Sequence, residues 1–202
     1  MKKKILAIGA ALTVLIFGGI YMYNKLTKPN FGPKTTKLYQ RGFRFLEEQI
    51  GTYIKEHYKG IEKIEFSPIY VTGDDGFSML NAYVRPTIYD KYGHKATLGL
   101  PVKKFIPLSY GLSSDIILDF DGSGDEVIEL MDSEDRLVDV SKAKHLPNEA
   151  KLTKARSTDE NISLLVQDGQ LKDVVKDEKG SPEADIVYNV ELQKGVGQYD
   201  SK

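Results

Sequence analysis

The chain has 202 residues, with 28 Lys and Arg against 29 Asp and Glu, a net charge of −1, and no cysteine or tryptophan. The missing cysteine excludes a disulfide framework and a lipid-bearing cysteine anchor. The balanced charge, without a basic block, argues against nucleic acid as a partner.

Met1-Lys2-Lys3-Lys4 leads into Ile5–Tyr23, 19 residues without a charge, nine of them Ile, Leu, Val or Phe. At about 1.5 Å per residue a helix of that length crosses a hydrocarbon core of about 30 Å. Its apolar side chains favour insertion by about 3–5 kcal/mol, and Tyr21 and Tyr23 sit where an interfacial aromatic belt belongs. The exit, Tyr21-Met22-Tyr23-Asn24-Lys25, is too bulky for signal cleavage. Residues 1–26 therefore read as a permanent transmembrane anchor, with residues 5–23 in the lipid bilayer. Lys2, Lys3 and Lys4 are more concentrated than Lys25, Lys28 and Lys34, which places the amino terminus in the cytoplasm and the rest outside the cell membrane.

Beyond Tyr23 the chain keeps 25 basic and 29 acidic residues, a net charge near −4, and is long enough for one core-bearing domain. Residues 27–37, with Pro29, Asn30, Gly32 and Pro33, read as a stalk. Residues 38–132 read as a helix followed by an antiparallel sheet. Tyr39, Phe43, Leu46, Ile50 and Tyr53 recur at helical spacing from about Thr36 to Tyr58, with Glu47, Glu48, Lys55 and Glu56 on other faces. Gly60 follows as the expected stop, and Gly42 and Gly51 lie inside the helix.

The period then changes to two. Ile64 and Phe66, then Ile69 or Tyr70, face inward, with Pro68 predicting an edge or a bulge. Strands are expected at 77–89 and 95–102. A hairpin is expected at 114–120 and 126–131, turning at Asp121-Gly122-Ser123-Gly124. Residues 133–194 read as a polar extension. They hold a helix with a capping box from Ser157 to Glu160, a helical turn at 171–175, and one closing strand along Ile186, Tyr188, Val190 and Leu192. Residues 195–202 are expected to fray. The fold class is α+β, a helix across an antiparallel sheet, with a cystatin-like arrangement as the specific case.

The lysine head, the apolar run, the tyrosine-rich helix and the join Tyr53-Ile54-Lys55-Glu56-His57-Tyr58-Lys59-Gly60-Ile61-Glu62-Lys63-Ile64-Glu65-Phe66 resemble small membrane-anchored proteins of Gram-positive bacteria, over about residues 1–72. Most of those proteins have no assigned activity, so the resemblance implies location and fold and carries over no functional residue. Many of them bear a lipidated cysteine after the apolar run, from which this chain departs.

Asp119, Asp121, Ser123 and Asp125, with Gly124, match early positions of a calcium-binding EF-hand loop, but the twelfth position is Leu130 instead of glutamate. Asp-Gly and Gly suit a hairpin directly, so calcium is the minor alternative. His57, His94 and His145 are widely spaced, without zinc-ligand patterning. Tyr83, Arg85 and Tyr92 lie in an aromatic and basic stretch, with Tyr89, Lys103, Lys104, Phe105 and Tyr110, whose composition is that of a protein-binding surface. Two functional expectations follow. One is an extracytoplasmic protein-binding module, immunity-type or associated with an envelope component. The other is a cell-envelope hydrolase using sheet carboxylates from Asp115, Asp119, Asp121, Asp125, Glu126 and Glu129.

Overall fold

A computed structural model describes residues 25–73, 79–100 and 108–195; the expected anchor span, the centre of the turn at 73–76, and Lys103, Lys104 and Phe105 lie outside them. Among the described residues no helix is long and apolar enough to cross a membrane.

Helix α1 runs from Pro33 to His57, beginning inside the stretch expected as a stalk. Proline loses nothing in a first turn, where its missing N–H would have no intrahelical acceptor. The extended Gly32 caps it, accepting the Thr36 N–H at 2.9 Å. The residues ahead of it are docked as well: the Phe31 and Tyr39 rings lie 4.7 Å apart and Lys28 pairs with Glu191. Tyr58, already extended, ends the helix and opens strand β1 (Tyr58–Lys59). Gly60 is therefore not the helix stop. It forms the next corner at φ +86°, where a Cβ would lie 2.2 Å from the Asp173 carbonyl oxygen.

Along the chain follow β2 (Ile61–Phe66), β3 (Ile69–Thr72), β4 (Asn81–Val84), β5 (Pro86–Asp90), β6 (Lys95–Thr97), β7 (Tyr110–Gly111), β8 (Ile116–Phe120), β9 (Glu126–Met131) and β10 (Leu137–Asp139). After a single 3-10 turn at Asn148–Ala150 come helix α2 (Arg156–Gln167), β11 (Val175–Lys176), β12 (Asp185–Val187) and β13 (Leu192–Lys194). The fold is α+β, with antiparallel and mixed sheets.

In the two four-stranded sheets, ordered β12-β2-β5-β6 and β13-β3-β4-β7, three pairs of consecutive strands, β2 and β3, β4 and β5, and β12 and β13, pass from one sheet to the other across a short break. Pro68 lies at one interruption. Its strand is flanked on both sides, by β13 and β4, so it marks an interior break and not an edge. The break is bridged. Ser67 N–H donates to the Arg85 carbonyl at 3.0 Å, Ser67 Oγ accepts the Arg85 N–H at 3.0 Å, and Ile69 N–H donates to the Glu191 carbonyl at 2.8 Å. With no N–H of its own, proline leaves nothing unpaired there.

Register puts Ile186, Ile64, Ile88 and Ala96 in one transverse row facing the core, and Asp185, Lys63, Tyr89 and Lys95 in the next row facing out. The expected closing strand is two short strands, β12 and β13, and both run parallel to their neighbours β2 and β3. A long crossover reaches this edge, so no hairpin forces antiparallel pairing.

The β8–β9 hairpin forms as expected, and β10 joins it as a third antiparallel strand. The sequence hid β10 because it is three residues long and Leu137 is exposed. Helix α1 lies between this sheet and the main one. A Cβ on Gly42 would meet Leu118 Cδ2 at 2.3 Å, and one on Gly51 would meet Ile186 Cγ2 at 3.0 Å. Nine positions at about 100° each place these glycines on opposite sides of the helix, so each admits one sheet to close packing.

Helix α2 begins at Arg156 with Ala155 as its cap and no side-chain capping bond, so the Ser157–Glu160 box does not form. Glu160 instead meets Arg156 Nε at 2.8 Å. The helical turn expected at 171–175 is also absent. Asp90 captures the Lys172 N–H at 2.7 Å, Asp173 turns to φ +55°, and β11 pairs with β1.

Candidate functional site

Of the three aromatic and basic residues singled out in sequence, Tyr83 and Arg85 are neighbours and Tyr92 stands apart. Tyr83 is buried, its ring 5.6 Å from that of Tyr70, with the Arg85 guanidinium 5.0 Å above it. Tyr92 is exposed in the β5–β6 turn and donates to Asp173 Oδ2 at 2.5 Å. The full length of β5, roughly 15–20 Å, separates it from Arg85.

The acidic loop is a hairpin turn. Asp121 Oδ1 accepts the N–H groups of Ser123 and Asp125 at 2.8 and 2.9 Å, Gly124 takes φ +82°, and Lys34 Nζ donates to the Gly124 carbonyl. Asp119 Oδ1 accepts the Phe120 N–H at 2.7 Å. Asp115 accepts from Gly111 N–H and Ser114 Oγ, while burial pushes its carboxyl above the ordinary range. Glu126 pairs with Arg41 at 2.8 Å. Among the described residues no three His, Asp or Glu side chains gather as a metal site would need.

The feature that sequence reasoning missed is a slot along α1. Between Leu38 and Lys55 the helix has no fully exposed residue, and its partly exposed positions, Gln40 aside, are Arg41, Arg44, Glu48, Thr52 and Lys55. These fall at spacings of three and four, so they form one narrow stripe continuing from Lys37. One wall is the segment around Ala143–Leu146 and Lys151, and the other is the segment from Glu178 to Val190. Two clefts, of about 840 and 500 Å³, meet at Glu48. Such volumes are in the range of ligand sites. None of the acids proposed for hydrolysis lines either cleft.

Local bonding holds the walls in place. Glu48 Oε2 accepts the Leu146 N–H at 2.9 Å and its Oε1 pairs with Arg44 at 3.1 Å. Arg44 lies flat on the Tyr188 ring, 3.2 Å from its centroid. Arg41 braces the Ala143–Leu146 wall through the Ser141 carbonyl and, at 3.1 Å, the Ala143 carbonyl. Lys55 Nζ donates to the Ala184 carbonyl at 2.7 Å. Glu47, read in sequence as an outer-face residue, is fully buried behind the stripe. Its Oε2 accepts the Asn189 N–H at 3.0 Å, its Oε1 has no partner among the described residues, and burial pushes its carboxyl up to about 8.

Two further clamps tie the C-terminal segments to the core. Asp159 accepts from the Tyr53 and Tyr58 hydroxyls at 2.7 and 2.6 Å and from Lys176. Burial works against the Asp159 carboxylate, but Lys176 and the two hydroxyls outweigh it and hold the group below the usual range. Asp90, fully buried where Asp159 is only partly so, accepts from Lys172, Tyr92 and His94 backbone N–H groups and faces the His94 ring at 2.9 Å. Those bonds overcome the cost of its burial and hold its carboxyl low.

Comparison with models of known protein families, with curated proteins and with solved structures finds no match for this chain. The reading of the slot therefore rests on its geometry.

Proposed function

We propose that this is a membrane-anchored, extracytoplasmic binding module that receives a partner protein or envelope component in the slot along α1. One version is an immunity-type role, in which the domain blocks a toxin acting at the membrane exterior. The carrying observation is the slot itself: a helix otherwise enclosed is left open along one stripe, between two walls tied to it by partly buried hydrogen bonds. A structural helix needs no such opening, whereas a preorganised recognition groove does.

The uncharged run at Ile5–Tyr23 behind three lysines supports a single-pass anchor with the domain outside, and the resemblance to membrane-anchored Gram-positive proteins agrees with it. The order of α1 followed by antiparallel β2 to β7 supports a cystatin-like arrangement for that part; the parallel β12 and β13 depart from it. The binding reading is preferred to the hydrolase because Asp115, Asp121 and Glu126 are engaged in local bonds and none of the six acids lines the clefts.

A photo-crosslinking amino acid placed at Thr52, on the slot floor, should yield a protein adduct in cells, and one at Thr87, on the outer sheet face, should not. Adducts from neither position, or equally from both, would overturn the reading. Protease added to intact protoplasts should digest the domain; full protection would refute its external placement.

A further inference from the structure

We propose that the occupant of the slot is an extended acidic peptide segment of a partner protein, with a carboxylate seated against Arg44 in the cleft nearer the start of α1. This rests on the binding reading above and specifies its chemistry.

That cleft gathers Lys37, Arg41, Arg44 and Lys144 around a single acid, Glu48. The concentration runs against the domain's overall acidity, which is near −4 beyond Tyr23. Glu48 offsets Arg44 and accepts the Leu146 N–H, so the cleft's surplus positive charge is carried by Lys37 and Lys144. Arg41 is spent bracing the wall. Lys37 and Lys144 are exposed and have no ion pair or hydrogen bond among the described residues.

Arg44 differs from both lysines. Its guanidinium carbon is 3.2 Å from the Tyr188 ring centroid and its Nη1 is buried 3.1 Å from Glu48 Oε1, yet 39% of its side chain stays exposed where it lines the cleft. A guanidinium held in one orientation loses little entropy on meeting a carboxylate. Phe45 and Val190 beside it give an apolar neighbour to the acid's flanking residue.

Shape selects a peptide over a small anion. From Lys37 to Lys55 the stripe is about 27 Å long at 1.5 Å per residue, which matches roughly eight residues of extended chain. A phosphate or a lipid headgroup would fill one cleft and leave the other. The second cleft changes character: Lys151, Lys179, Glu56 and Glu178 all line it, and Leu146, Pro182 and Ile186 supply apolar lining. An acidic end followed by mixed polar and apolar residues complements the two clefts in order.

The test uses the full chain in phosphatidylcholine nanodiscs and fluorescence anisotropy with labelled peptides of about ten residues, one alternating Glu and Val, the other Lys and Val. The acidic probe should bind saturably and weaken with added salt, while the basic probe should not bind. Lys37→Glu with Lys144→Glu should weaken the acidic probe by about tenfold or more, since attraction becomes repulsion at two positions. Arg44→Lys should weaken it as well, because an ammonium lacks the stacked plane. Lys95→Glu, on the outer sheet face, should leave it unchanged. Near-ultraviolet circular dichroism checks that each variant is folded.

Equal binding of both probes, indifference to the double charge reversal, or displacement of the acidic probe by polyphosphate or phosphatidylglycerol vesicles would overturn the proposal. If Thr52 crosslinks a protein in cells while the acidic probe fails to bind, the acidic occupant is refuted and the binding reading stands. If neither occurs, both fall.

Discussion

Replacing Glu47 with glutamine tests how the enclosed side of α1 is built. The carboxyl is fully buried and burial pushes it from an ordinary 4.5 up to about 8. A folded state that holds its proton more tightly than the unfolded state gains stability at low pH and loses it as pH rises. The contribution is complete below about 4.5 and gone above about 8. Between those limits the slope is about 1.4 kcal/mol per pH unit, which makes the whole effect on the order of 4–5 kcal/mol. That is a large share of a typical domain's roughly 5–15 kcal/mol. Glutamine keeps the size and the oxygen that accepts the Asn189 N–H, but it does not titrate. Urea unfolding of the wild type and Glu47→Gln, followed by tyrosine circular dichroism at pH 5, 6.5 and 8, should show the variant gaining on the wild type as pH rises. The difference between the two proteins cancels every other titrating group. A difference that stays flat across this range would refute the reasoning.

The remaining predictions address the clamps, the sheet break and the acidic loop. Asp90 and Asp159 have carboxyls held below the ordinary 3.8, so the stability they add is present above that pH and is lost as pH falls through their lower folded values. Acid titration of Asp159→Ala should lose this component, and the variant should be about 2 kcal/mol less stable at pH 7, from removing the acceptor of two tyrosine hydroxyls and Lys176. A loss below about 0.5 kcal/mol would show the clamp to be idle. Ser67→Ala should cost about 1–2 kcal/mol in urea unfolding, because the Arg85 N–H loses its acceptor at the break. Calorimetric titration with millimolar calcium should give no saturable heat, since Asp121 already serves two backbone N–H groups; a saturable isotherm would restore the EF-like reading of Asp119, Asp121, Ser123 and Asp125.

The parts of the fold legible in sequence were those whose signal is local. The stripe from Tyr39 to Tyr53 predicts α1, and Asp121-Gly122-Ser123-Gly124 between apolar strands predicts the β8–β9 hairpin. What sequence could not show depends on distant partners. Gly60 reads as a helix stop until the Asp173 carbonyl is seen beside it, and residues 184–192 read as one closing strand until their separate parallel pairings with β2 and β3 are known. The slot left a trace: Lys37, Arg41, Arg44, Glu48, Thr52 and Lys55 are the polar residues of one stripe, and Glu47, just off it, is polar but buried. Nothing local separates Glu47 from Glu48, because what encloses one of them arrives from residues 188–191.

The parallel seating of β12 and β13 also governs when the protein becomes itself. Ile186 pairs with Ile64, so the main sheet acquires this edge only from a segment far along the chain from β2. Until then Gly51 faces no Ile186, Phe66 has no Tyr188 ring beside it, and the Glu178–Val190 wall of the slot does not exist. Pairings this distant in sequence form slowly, because loop closure precedes any contact gain. Until that segment arrives the main sheet stays open at this edge and the slot along α1 lacks one of its walls.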